Sequence, residues 1–267
     1  ALLILTICAL ASSAPATYPG SVISSFYAAP LRYGSVTYFP QGLTYGDGYL
    51  WVMYADGIVT KRQFPSGSLI GTFVCPPPAW GGETAWNSAR KYVYIRSVWT
   101  GVVWAESAGG SVIGSFPKPP GAGPLYGIEY DDYNTSRPIW VGDGNTVWNL
   151  TSAGSLINSF NCSAWPRRPR AYAFDGDTSG GPYILIGAVR PAAHPWVYVV
   201  NPANFSLISS FASPLLPGHL TDITWDGRYL WALESGETTS GWVYRFVAHS
   251  SPAVAPASLG RIKALYR

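Results

Sequence analysis

The sequence predicts an all-β fold, a single β-propeller of five four-stranded blades. Three observations carry this. A strand-like segment recurs five times at intervals the size of a blade. A strand–turn–strand motif falls once between successive copies. Charged residues are only 12% of the chain, whereas aromatics are 15%, with 29 Gly and 23 Pro among 267 residues. Such a chain buries a large aromatic core and turns often. Disorder needs low hydrophobicity and high charge, so it is excluded. A coiled coil needs abundant Ala, Glu, Lys and Leu. The density of Gly and Pro argues against a helical bundle as well.

The recurring segment reads SVISSF at 21–26, SLIGTF at 68–73, SVIGSF at 111–116, SLINSF at 155–160 and SLISSF at 206–211. Each copy alternates apolar and small polar residues, the period of a half-buried strand. In four of the five copies a Gly precedes the first Ser, which suits a tight turn.

The second motif is clearest at 44–51 (TYGDGYLW) and 224–231 (TWDGRYLW). An Asp-Gly pair between alternating apolar runs is a strong hairpin signal. Weaker copies join Ala85-Trp86-Asn87 to Tyr92-Val93-Tyr94, Glu129-Tyr130-Asp131 to Ile139-Trp140, and Ala173-Phe174-Asp175-Gly176 to Tyr183-Ile184-Leu185. A third strand follows each hairpin, at 58–64, 102–106, 146–150, 196–200 and 242–246. Each repeat thus supplies four strands in about 45 residues, the length of a propeller blade. The first outer strand, 21–26, precedes any hairpin, and the last third strand, 242–246, lacks an outer partner after it. Pairing the two closes the ring and removes an exposed sheet edge.

Three segments follow. Residues 1–17 form an apolar N-terminal arm or signal remnant, 18–248 the propeller, and 249–267 a linker and C-terminal arm. The run ALLILTICALA at 1–11, followed by Ala14-Pro15-Ala16, has the character of a secretory h-region and cleavage site. It is too short to span a bilayer, which takes about 20 residues. An extracellular or cell-surface location is therefore expected.

The elements Asp226-Gly227-Arg228-Tyr229-Leu230-Trp231, Gly241-Trp242-Val243-Tyr244-Arg245-Phe246 and Gly110-Ser111-Val112-Ile113-Gly114-Ser115-Phe116 resemble the short-repeat propellers of exported bacterial and archaeal proteins, of the YncE and NHL types. The resemblance covers roughly 18–248. It implies the propeller fold and export, and says almost nothing of activity, because propellers host binding, scaffolding and catalysis alike.

Residues with chemistry are few. Aligning the repeats puts Glu83 and Asp222 in one inner column with Gly42, Gly127 and Ala171. A carboxylate pair can do acid–base work if its environments split the two pKa values. In the next column Glu129 stands alone among Thr44, Ala85, Ala173 and Thr224. These three acids are the candidate channel ligand site, and backbone hydrogen bonding is their bland alternative. Asp47, Asp131 and Asp226 are explained by turn chemistry. His194, His219 and His249 lack metal-ligand spacing, and Asp175-Gly176-Asp177 lacks that of a calcium loop, so no metal and no cofactor are expected. No G-x-S-x-G elbow, P-loop or dinucleotide fingerprint occurs.

Cys75 and Cys162 hold equivalent repeat positions, and an exported chain permits a disulfide between them, or two separate buried thiols. Sequons at Asn134, Asn149, Asn161 and Asn204 are candidate glycan acceptors. Trp80, Trp99 and Trp165 lie in or beside loops, where they can stack on sugars or fold over blade edges. A net charge of +3, with basic spots only at 167–170 and 261–267, does not make a nucleic-acid footprint.

The function expected from these features is non-enzymatic. Two apolar arms flank a low-charge propeller, and head-to-tail arm exchange gives open polymers when the rotation does not close. Leu2, Leu3, Ile4, Leu5 and Ile7 in one arm, and Ile262, Leu265 and Tyr266 in the other, are the expected joints of an extracellular homopolymer or filament. Copies of itself are thus the expected partner, with glycans a further one. The alternatives are a secreted glycan- or ligand-binding propeller and a propeller lyase or cyclotransferase.

Overall fold

A computed structural model describes residues 18–249, apart from 34, 56, 76–80, 98–99, 137, 177, 179, 218 and 236–240. The predicted arm residues, with Cys8, Trp80 and Trp99, lie outside the described residues.

The described chain is all β. It opens with β1 (Val22–Ala28) and a small hairpin, β2 (Leu31–Tyr33) and β3 (Val36–Tyr38), which sequence reading did not foresee. Blade 1 is β4 (Pro40–Gly46), β5 (Tyr49–Tyr54), β6 (Ile58–Gln63) and β7 (Leu69–Val74). Blade 2 is β8 (Thr84–Asn87), β9 (Tyr92–Arg96), β10 (Val102–Ser107) and β11 (Val112–Pro117). Blade 3 is β12 (Tyr126–Tyr130), β13 (Ile139–Gly142), β14 (Thr146–Leu150) and β15 (Leu156–Asn161). Blade 4 is β16 (Arg168–Asp175), β17 (Tyr183–Arg190), β18 (Ala193–Val200) and β19 (Leu207–Ala212). Blade 5 is β20 (Leu220–Trp225), β21 (Leu230–Glu234) and β22 (Gly241–Phe246), completed by β1. The closing pair is antiparallel, from Val22 opposite Phe246 to Ala28 opposite Gly241. The predicted ring closure is therefore present.

Local chemistry accounts for the hairpins. Asp47 and Gly48 have φ of 57° and 78°, the double left-handed turn that matches strand twist in a two-residue hairpin. In blade 5 the Asp226 carboxylate accepts the N–H groups of Arg228 and Tyr229, and Trp231 Nε1 donates to it at 2.7 Å. Asp131 does the same for Tyr133 and Asn134. These aspartates are turn residues, as expected.

Inner and middle strands are buried on both faces because each blade is packed between two others. Aromatics bridge the blades. Trp51 stacks on Trp86 at 5.1 Å and 12°, and Tyr94 on Tyr130 at 5.5 Å and 13°. Offset ring pairs of this kind add to the area they bury.

The outer strands depart from the half-buried expectation. The Leu-Ile or Val-Ile pair of every copy is exposed, from Val22 and Ile23 to Leu207 and Ile208. Only the Phe that ends each copy turns inward. That ring faces the Gly at the start of another blade's outer strand: Phe26 faces Gly67, Phe73 faces Gly110, and Phe116 faces Gly154.

Two further expectations are corrected. Cys75 and Cys162 are not bonded to each other. They sit in blades 1 and 3, each inside a different apolar cluster, and bridgeable Cys pairs need Cα atoms within about 7 Å. Asn149 is fully buried and its amide donates to the Ile139 carbonyl at 3.2 Å, so its sequon is closed to glycosylation in the folded state. Asn161 and Asn204 are exposed and Asn134 is partly exposed. No helix among the described residues is long and apolar enough to cross a membrane.

Candidate active site at one end of the channel

The structure brings Glu83 and Asp222 close to each other, as the repeat alignment suggested, and then commits both. The carboxylate of Glu83 is bound by the Arg96 guanidinium through Nε and Nη2, in a pair with almost no exposure. Asp222 Oδ2 accepts N–H groups from Leu43 at 2.8 Å and Thr84 at 3.3 Å, and its Oδ1 accepts that of Ile223. Asp222 therefore ties blade 5 to blades 1 and 2. Burial and then the charge of Glu83 push its carboxyl well above the usual range, against the pull of those three N–H groups. Thr224 adds a second tie, accepting the Tyr45 N–H at 2.9 Å. Asp222 thus bonds to backbone, the bland alternative, whereas Glu83 is engaged by the Arg96 side chain, a partner that sequence reading did not foresee.

Glu129 is different. It is buried. Burial raises its carboxyl well above the usual range, opposed by the Tyr130 N–H and reinforced by the charges of Asp222, Asp132 and Asp131. Its Oε2 has no hydrogen-bond partner among the described residues. A buried polar atom without a partner costs about 1–3 kcal/mol, so it calls for an explanation.

Glu129 also lines a cavity of about 190 Å³, open at its mouth. It is built from the C-terminal ends of all five inner strands, β4, β8, β12, β16 and β20. Each end contributes an aromatic residue from one repeat position: Tyr45, Trp86, Tyr130, Phe174 and Trp225. Trp86 Nε1 and Trp225 Nε1 are, like Glu129 Oε2, buried without a partner among the described residues. The ring of five aromatics was missed in the sequence because aromatics in repeat positions were assigned to the core. The column itself was readable, being the residue after Thr44, Ala85, Glu129, Ala173 and Thr224.

One wall of the cavity is backed by a hydrogen bond. His249 Nε2 meets Asp175 Oδ2 at 2.7 Å, and the His249 ring packs edge-on against Trp225. Burial opposes ionisation of Asp175, but the His249 and Thr178 hydrogen bonds hold its carboxyl below the usual range. Of the loop tryptophans, Trp165 is partly buried, with its ring 4.5 Å from Tyr198. It folds over the blade. His194 and His219 lie at the opposite end of the blades from this cavity, His194 near the start of β18 and His219 in the β19–β20 connection. Among the described residues no three His, Cys, Asp or Glu side chains are grouped to hold a metal.

No known family model matches the chain, and no curated protein matches it in sequence. Solved structures do match in fold. The glutaminyl cyclase of Myxococcus xanthus superposes with a TM-score of 0.60 at 12% identity, over 84% of this chain and 94% of that one. The Pan2 WD40 domain of Neurospora crassa superposes with a TM-score of 0.52 at 13% identity, over 88% and 71%. At such identity the likeness is one of fold, a five-bladed propeller. It nevertheless corrects the expectation of a non-enzymatic assembly subunit, a homopolymer or filament. The match takes in 94% of the glutaminyl cyclase chain, an enzyme, so the fold gives no ground for excluding catalysis. The arm residues on which the polymer rested, Leu2, Leu3, Ile4, Leu5, Ile7, Ile262, Leu265 and Tyr266, lie outside the described residues.

Proposed function

We propose that the chain is a propeller aminoacyl cyclotransferase, which closes an N-terminal glutaminyl residue into a lactam and releases ammonia. One observation carries the reading. Three buried polar atoms without protein partners, Glu129 Oε2, Trp86 Nε1 and Trp225 Nε1, belong to residues lining one small aromatic cavity. Two N–H donors and a protonated carboxyl complement a primary amide. The donors serve its carbonyl oxygen and the carboxyl serves its nitrogen.

The chemistry follows from that set. The substrate's α-amine attacks the side-chain amide carbonyl, and a C–N bond forms as the ring closes. The indole N–H groups stabilise the developing oxyanion. Glu129 gives its proton to the departing amide nitrogen and recovers one from the attacking amine, so it ends as it began. Burial raises its pKa, which favours the protonated form that this step requires. A cavity of about 190 Å³ accommodates one side chain, not a folded domain.

Export and membership of the short-repeat YncE or NHL type belong to the same reading. They are supported by the five outer-strand copies and by the accessible sequons at Asn161 and Asn204.

The test is release of ammonia from a glutamine-initiated dipeptide, with the lactam identified by mass spectrometry. Wild type is expected to be active, and Glu129→Gln to lose about 10²–10⁴-fold in rate, the usual worth of a positioned acid–base group. Wild-type protein that releases no ammonia above the blank overturns the proposal.

A further inference from the structure

A second, larger cavity of about 760 Å³ lies where β12 and β16 begin, at the opposite end of the blades from Glu129. Four arginines line it, Arg167, Arg168, Arg170 and Arg190. The one carboxylate there is Asp143, and its oxygens are already engaged. Oδ1 accepts the N–H groups of Asn145 at 3.0 Å and Thr146 at 2.9 Å, and Oδ2 accepts that of Gly123 at 3.1 Å. Among the described residues no arginine of the four is in an ion pair with a carboxylate.

Like charges gathered in one groove repel, and a fold stabilised by its own contacts has no need of them. Two of the four are held by contacts of their own. Arg167 Nε donates to the His194 carbonyl at 3.2 Å, and its guanidinium lies 4.8 Å from the centre of the Trp196 ring. The Arg170 guanidinium lies 5.9 Å from that of Tyr126, and its Nε is buried with no partner among the described residues. Pro166 precedes Arg167 and Pro169 separates Arg168 from Arg170, and both restrict the backbone there. Guanidinium groups held in fixed directions are the usual receptors of phosphate and carboxylate oxygens.

We propose that this groove binds a small multivalent oxyanion, a ligand carrying several phosphate or carboxylate groups. A ligand of about three negative charges would balance four arginines and one aspartate. The proposal does not depend on the cyclotransferase reading, because the two cavities sit at opposite ends of the blades.

The test is calorimetric titration of the full chain at low salt with two probes, tripolyphosphate and citrate. Saturable one-to-one binding of at least one probe is expected, weakening as salt is raised and accompanied by a higher melting temperature. The probe that binds more tightly identifies the oxyanion chemistry. Arg168 and Arg190 are exposed, so Arg168→Gln with Arg190→Gln should leave the fold intact and weaken binding at least tenfold. Ammonia release from the dipeptide should be unchanged in that variant. If neither probe binds or raises the melting temperature, or if the variant binds as tightly as wild type, the proposal fails.

Discussion

The rings of Phe160 and Phe205 stack with their centroids 4.7 Å apart and their planes 22° apart. Phe205 occupies the place where the other four repeats have Gly, and it keeps the glycine-like φ, at 60°. The pair is the fourth instance of one blade-to-blade contact. Elsewhere the outer-strand Phe of one blade packs on a left-handed Gly that opens the outer strand of another. The repeated Gly therefore does more than turn the chain. It leaves room for a ring, and the one copy without Gly replaces that room with a stack.

From this contact we expect Gly154→Ala to destabilise the fold. Its φ of 82° and the Phe116 ring both oppose a side chain there. A left-handed non-glycine residue costs about 1–2 kcal/mol, and overpacking adds about 1–3 kcal/mol. Gly114→Ala is the control, because it meets open space. Thermal melts should separate the two variants by several degrees. Equal melting temperatures would show that the Phe–Gly contact has no energetic role.

The repeat explains what was readable in the sequence and what was not. Strand order, blade count and ring closure followed from periodic copies, because each blade must bury its inner and middle strands on both faces. Glu129 stood out as the single acid in a column of small residues. Trp86 and Trp225 did not, since an aromatic ending an inner strand looks like core until the five strand ends are seen to converge. Arg96 gave no signal either, because the pairing that neutralises Glu83 joins the residue before β8 to the last residue of β9. The outer Leu-Ile and Val-Ile pairs misled for a related reason. Alternation speaks of two faces, and at a blade's rim only the Phe finds a neighbour.

Glu83→Ala should be among the most damaging single changes. It would leave the Arg96 guanidinium buried and unpaired, a loss of about 3–5 kcal/mol. Replacing both residues by Met should restore much of it, because two charges then leave the interior together. Urea denaturation of the single and double variants checks this. A double variant no more stable than the single one would contradict it.

Neither described thiol should be reactive in the folded protein. Burial, and then the charge of Asp143, push Cys162 up to about 12, and its Sγ–H donates to the Asn145 carbonyl. Thiolates are the reactive form. Cys75 is wholly buried. Mass spectrometry after iodoacetamide treatment at pH 8 should find both unmodified until denaturant is added, and reductant should not change the melting temperature. Rapid labelling of Cys162 under native conditions would show that the blade 3 edge opens.

Stability should fall as pH rises from mildly acidic conditions, and Glu129 should be a main cause. Its folded-state pKa is raised by burial, whereas in the unfolded chain a glutamate titrates near 4.3. Below that value both states hold the proton, and the contribution of the neutral carboxyl is fully present. Above it the unfolded chain ionises first, and stability is lost until the pH passes the folded pKa. The slope for one such group is at most about 1.4 kcal/mol per pH unit. Asp222 is raised for a similar reason and acts in the same direction. Glu129→Gln keeps the shape and removes the titrating group, so its unfolding free energy should depend less on pH and gain on that of wild type as the pH rises above the unfolded value. Urea unfolding across that range separates the cases. Parallel curves for variant and wild type would mean that Glu129 titrates as an ordinary carboxylate, and the proton that the cyclisation requires would have to come from another group.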